Sequence, residues 1–205
     1  CNFQGWHFMW GYFQAGGPLM WALLACSIVA LAVILERCCF WARLSLKRDE
    51  AIAARVLQDA SEGKPWQGGA PKGIITAMLR AGLSVREEDC GKAMEIIALE
   101  SLARMRKGMN ILDTIITAAP MLGIMGTVLG IITSFDMLGA AGASEPRAVI
   151  GGIAQALITT ASGLGIAVVT IFPYNYFNFR IDNAQDILEV YGSRLELIRT
   201  RAEEE

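Results

Sequence analysis

The fold class reads most directly from Ala119-Pro120-Met121-Leu122-Gly123-Ile124-Met125-Gly126-Thr127-Val128-Leu129-Gly130. This stretch carries no charge, and it sits inside an uncharged run bounded by Asp113 and Asp136. At 100° per residue, Gly123, Gly126, Thr127, Gly130 and Ser134 fall within an arc of about 100°. One helix face is therefore small and weakly polar, and between Met121 and Ile132 the remainder is Ile, Leu, Met and Val. Gly126 and Gly130 have the spacing that lets two helices approach closely within a bilayer. A run of this length matches the roughly 20 residues needed to cross a hydrocarbon core.

Two more such runs flank it. Gly16 to Leu35 is uncharged and ends at Glu36 and Arg37. Arg147 and Arg180 bound the longest of the three runs. Between the second and third runs lie Gly139, Gly142, Ser144 and Pro146, all turn formers, so these two spans form an antiparallel hairpin. The predicted fold is an all-α membrane protein. Three transmembrane helices carry long cytoplasmic helical extensions.

Composition agrees with such segregation. The chain has 205 residues, 54% hydrophobic and 19% charged, with a net charge of −2. No dominant basic face points to nucleic acid. Of the 18 Lys and Arg, none precedes Arg37, and Arg147 stands alone between Lys107 and Arg180. By the positive-inside rule, residues 1–15 are then periplasmic and 16–36 form span one. Residues 37–112 are cytoplasmic, 113–138 span two, 139–147 the periplasmic hairpin, 148–175 span three and 176–205 the cytoplasmic tail. Trp6, Trp10, Tyr12 and Trp21 read as an outer aromatic belt, with Trp41 at the inner edge.

In the cytoplasmic part, the composition of Arg43 to Glu62 predicts a helix, ended by Gly63 to Pro71. A short helix follows over about Gly73 to Ala81. Ser84 and Glu87 have capping-box spacing, with Glu88 and Asp89 favourable at the same helix start. One long helix is expected from there into span two, because Gly91 and Gly108 are weak breakers only. Arg104, Arg106 and Lys107 then lie at the inner membrane surface. Residues after Arg180 alternate charged and apolar at helical spacing, which extends span three.

Span three carries two stripes. Ala156, Thr160, Gly163 and Ala167 form one; Gln155, Thr159 and Ser162 form the other. A Gln at membrane depth is costly unless it finds partners or water. The stripes serve helix packing, or they line a polar lumen when several copies surround a central space. Pro120 and Pro173 each free a carbonyl and favour a kink near the inner ends of spans two and three. Enzyme chemistry finds no set of groups: His7 is the one histidine, and no metal-ligand cluster or phosphate loop occurs. No cofactor is expected. Cys1, Cys26, Cys38, Cys39 and Cys90 contain no C-x-x-C pair and read as small apolar residues. Cys1 suggests a trimmed or incomplete N-terminus.

Three stretches carry a resemblance to the ExbB/TolQ/MotA proton-channel family, nearest its ExbB branch. They are Gly16-Gly17-Pro18-Leu19-Met20-Trp21 leading to Ser27–Arg37, Ala119–Gly123 running to Gly126–Ile131, and Gly152–Leu157 running to Thr160–Leu164. The resemblance covers the chain from about residue 13. It implies a homopentamer around a pore, with protons as the coupling ion. It implies a single-span partner of the ExbD/TolR type carrying a membrane Asp, and a TonB- or TolA-like periplasmic protein that the motor energises. It assigns Thr127 and Thr160 to the lumen, where Gln155 and Thr159 join them. Gly123, Gly126, Gly130 and Gly163 are the packing positions. Gln155 stands where many relatives have Glu, which removes a direct proton carrier from that position. A non-conducting scaffold and a motor for gliding or secretion are the alternatives.

Overall fold

A computed structural model describes residues 16–44, 46–64, 73–141 and 146–204. The expectations for residues 1–15, including Trp6, Trp10, Tyr12 and His7, lie outside these, as do residues 65–72 and the hairpin core 142–145. Every described element is a helix: α1 Leu19–Arg43, α2 Leu46–Ser61, α3 Ile74–Leu83, α4 Glu87–Arg106, α5 Met109–Ala141 and α6 Pro146–Glu204. Three of the described helical stretches are long and apolar enough to cross a membrane, and they fall where the three uncharged runs predict them.

The chain divides into two units. The first comprises Cys1–Leu35 and Gly108–Asn175, and the second Glu36–Lys107 and Tyr176–Glu205. In the first, α1 begins after a turn in which Gly17 takes φ 74°. That left-handed value favours glycine, and Pro18 then presets the helical φ. α5 and α6 continue through Pro120 and Pro173 without interruption. α6 has 59 residues, far more than a bilayer requires, so the tail extends span three as expected.

The second unit is a four-helix bundle of α2, α3, α4 and the end of α6. Its core holds Ala53, Val56, Leu57, Ile75, Met78, Leu79, Cys90, Met94, Leu188 and Leu195. α2 ends as the sequence predicts, at Gly63 with φ 68°, where the Lys64 amide donates to Asp59 O at 2.9 Å. Its start differs, because α1 runs on to Arg43 and α2 begins only at Leu46.

Two further expectations are corrected here. Ser84 does not cap α4. It ends α3, with its amide on Arg80 O and its hydroxyl donating to Ala81 O at 2.9 Å. The residue preceding α4 is Arg86, in extended conformation with no side-chain cap, so Glu87, Glu88 and Asp89 alone supply favourable charge there. The long helix into span two is also broken. Lys107 leaves the helical region at ψ 129°, and Gly108 takes φ 80°.

The break has an electrostatic partner that the sequence reading missed. Ending α4 at Arg106 orphans the carbonyls of its last turn. The Arg37 guanidinium donates to Arg104 O at 3.1 Å and Met105 O at 3.3 Å, while Glu36 holds its other side and Phe40 lies 4.8 Å beneath. A cation at a helix C-terminus is favourable, and Arg37 is only 2% exposed. Asp49 does the converse for α3. Its buried carboxylate accepts the Ile75 amide at 2.6 Å and the Thr76 hydroxyl at 2.8 Å. Any side chain on Gly73 would strike that carboxylate. Trp41 is likewise buried, with the Arg180 guanidinium 4.8 Å from its ring.

Candidate functional site: the small-residue junction of the membrane unit

The packing glycines of α5 meet α6 directly. A Cβ on Gly123 would lie 3.1 Å from Thr160 Cα, and one on Gly130 would lie 2.9 Å from both Ala156 Cβ and Gly152 O. On the facing helix, a Cβ on Gly163 would strike Ala119 O and lie 3.1 Å from Gly123 Cα. Backbone meets backbone over two helical turns, so no flexible side chain can yield. Buried Ala156 and Ala167 extend the same face of α6.

Hydroxyls complete this seam. Thr160 Oγ1 donates to Gly123 O across the helices at 2.8 Å. Ser134 is 3% exposed, donates to Gly130 O at 2.8 Å, and leaves no room for a side chain on Gly152. Small residues permit close approach, and hydroxyls then reach carbonyls that lipid cannot satisfy.

The second stripe of α6 faces a different neighbour. Thr159 is 1% exposed, and its Oγ1 lies 2.9 Å from both Gly16 O and Gln155 O. Gln155 covers Gly17, where any side chain would strike its amide nitrogen. Gly126 faces the Thr159 methyl, which a Cβ there would approach to 2.5 Å. Thr159 therefore marks the point where the lead-in turn of α1, the middle of α5 and α6 come together.

The set expected to line a pore thus separates by exposure. Thr159 has its surface inside the protomer. Thr160 and Gln155 are half-buried, with the Thr160 hydroxyl held in the seam. Thr127 is also half-buried, on the flank of the seam, with its hydroxyl on Ile124 O of its own helix at 2.6 Å. The turn at Gly16 and Gly17 was not expected in this site. Its signal was present, since adjacent glycines before a proline mark a close backbone approach ahead of a helix. Among the described residues no group of His, Cys, Asp and Glu is arranged to hold a metal.

A multi-pass membrane protein with a glycine-lined, hydroxyl-bridged helix junction is the class this geometry defines. Residues 70–190 match the MotA/TolQ/ExbB proton channel family. The chain belongs to that family. It is 35% identical to an ExbB-like biopolymer transport protein of Synechocystis sp. over 91% of this chain and 77% of the relative. It is 32% identical to an ExbB homolog of Methanothermobacter thermautotrophicus, over 87% of this chain and 66% of that relative. The Tol-Pal system protein TolQ of Pseudomonas aeruginosa is 26% identical over 78% of this chain and 84% of its own length. ExbB-type relatives are thus the more similar.

Proposed function

We propose that this chain is the pore-forming stator subunit of a motor driven by the proton-motive force in a bacterial inner membrane. Five copies surround a central pore, with the N-terminus periplasmic and the C-terminus cytoplasmic. The pore admits a single-span subunit of the ExbD/TolR type, and the motor energises a TonB- or TolA-like periplasmic protein.

One observation carries this reading: no Asp, Glu, His, Lys or Arg occurs between Asp113 and Asp136 or between Arg147 and Arg180. A proton relay at membrane depth requires a titrating group. In a member of a proton-channel family that lacks one, the acid belongs to another subunit, and this chain supplies a neutral housing. The role is conductive and mechanical, without enzyme chemistry or a bound cofactor.

The engaged hydroxyls favour a second reading, a scaffold without ion flux, because Thr159 and Thr160 already bond within the chain. Thr127→Ala with Thr160→Ala separates the two. The motor reading expects loss of energised transport with the multimer intact, whereas the scaffold reading expects transport to survive. Gly126→Leu, which disrupts the junction itself, should abolish assembly under either.

A further inference from the structure

The four-helix bundle carries a groove of about 250 Å³ among α3, α4 and α6. Met78, Met94 and Leu188 form its apolar floor, and Glu95, Glu189 and Glu196 stand around it. All three acids are exposed, and among the described residues none of them has an ion-pair partner. Gly192 and Ser193 leave a dent between Glu189 and Glu196. A Cβ on Gly192 would meet only the end of Met78, at 3.7 Å.

A complementary surface lies elsewhere on the same bundle. Arg48, Ile52 and Arg55 share one face of α2, turned away from buried Ala53, Val56 and Leu57. Ile52 is 42% exposed, and both arginines are exposed without an ion-pair partner among the described residues. Each charge pair spans seven residues of helix, about 10.5 Å. The cation–Ile–cation stripe therefore has the same pitch as the acid–dent–acid groove.

We propose that α2 of one copy docks in this groove of a second copy, with Ile52 over Gly192 and Arg48 and Arg55 against Glu189 and Glu196. This rests on the multimeric reading above and identifies the bundle surfaces that join the copies. α2 contributes no residue to the groove, so the contact is heterologous. Contacts of that kind propagate head to tail and can close a ring. Ile52 supplies the apolar anchor, and the flanking charges fix register more than affinity.

Disulfide cross-linking of the full chain in membranes tests the contact. In a protein with every native cysteine exchanged for alanine, Ile52→Cys and Ser193→Cys are introduced together. Oxidation should give a ladder of dimers and higher multimers. Its yield should be about ten-fold above either single variant, and Arg48→Glu with Arg55→Glu should lower it by a similar factor. Adding Glu189→Arg and Glu196→Arg should restore it. A ladder indifferent to charge reversal, or dimers formed by Ile52→Cys alone in equal yield, overturns the proposed register. Absence of the ladder while native gels still show a multimer overturns this contact and leaves the multimeric reading standing. A monomer under all conditions overturns both.

Discussion

The membrane unit and the charged bundle solve one packing problem with opposite materials. In the bundle, large side chains such as Leu79, Met78 and Leu195 fill the space between helices and are wholly or almost wholly buried. In the membrane unit the α5–α6 contact uses Gly123, Gly130, Gly152 and Gly163, with hydroxyls bridging to carbonyls. The solvent explains the difference. Water drives apolar side chains together, whereas lipid does not, so close backbone contact and hydrogen bonding must supply the association. Helix ends follow the same division. The bundle places full charges, Asp49 and Arg37, on α3 and α4. The membrane junction uses neutral hydroxyls, those of Thr159 and Thr160.

Breaking the membrane seam should have the largest effect. Gly163→Leu forces a side chain against the Ala119 carbonyl and the Gly123 backbone. About 3 kcal/mol or more of stability should be lost, seen as loss of folded protein in thermal unfolding in detergent. Gly165→Ala faces open space and should be silent in the same assay. Next in size, Asp49→Ala leaves two amides at the start of α3 without their acceptor. It should cost the bundle about 2 kcal/mol and raise hydrogen exchange over Ile74–Leu83, while the membrane helices keep their protection. Thr159→Val keeps the shape and removes one hydroxyl. A loss of about 1 kcal/mol is expected, with exchange rising at the Gly16–Pro18 turn.

The smallest expected effect concerns thiol chemistry. Cys38 and Cys39 are exposed, whereas Cys90 is buried in the bundle. Burial raises the Cys90 thiol above the usual range. A raised folded value means its contribution to stability is complete below the unfolded thiol pKa of about 8.5 and is lost as pH rises through the higher folded value. Maleimide at pH 8 should therefore label Cys38 and Cys39 quickly and leave Cys90 unmodified until the bundle is denatured.

The spans were legible because charge segregation is absolute: nothing charged separates Arg147 from Arg180. The α5–α6 seam was legible too, since glycine spacing in a helix admits few other uses. Long-range capping was not. Nothing local in the sequence links Arg37 to Arg104 or Asp49 to Ile75, residues that are 67 and 26 positions apart. The break at Gly108 was missed for that reason, because a weak breaker becomes a stop once Arg37 takes the carbonyls it frees. Ser84 shows the reverse error. Its capping-box spacing was real, but the preceding helix claimed the residue first. The second stripe of α6 looked free because its neighbour, the turn at Gly16 and Gly17, is 143 residues from Thr159.

On the proposed function, this chain houses a proton pathway without supplying its titrating group. Proton flux into liposomes under an imposed membrane potential tests it, comparing the chain alone with the chain co-reconstituted with a single-span subunit bearing a membrane Asp. Little flux from the chain alone, restored by the partner and lost again when that Asp is replaced by Asn, is the result expected. Strong, specific proton conduction by the chain alone would contradict the claim.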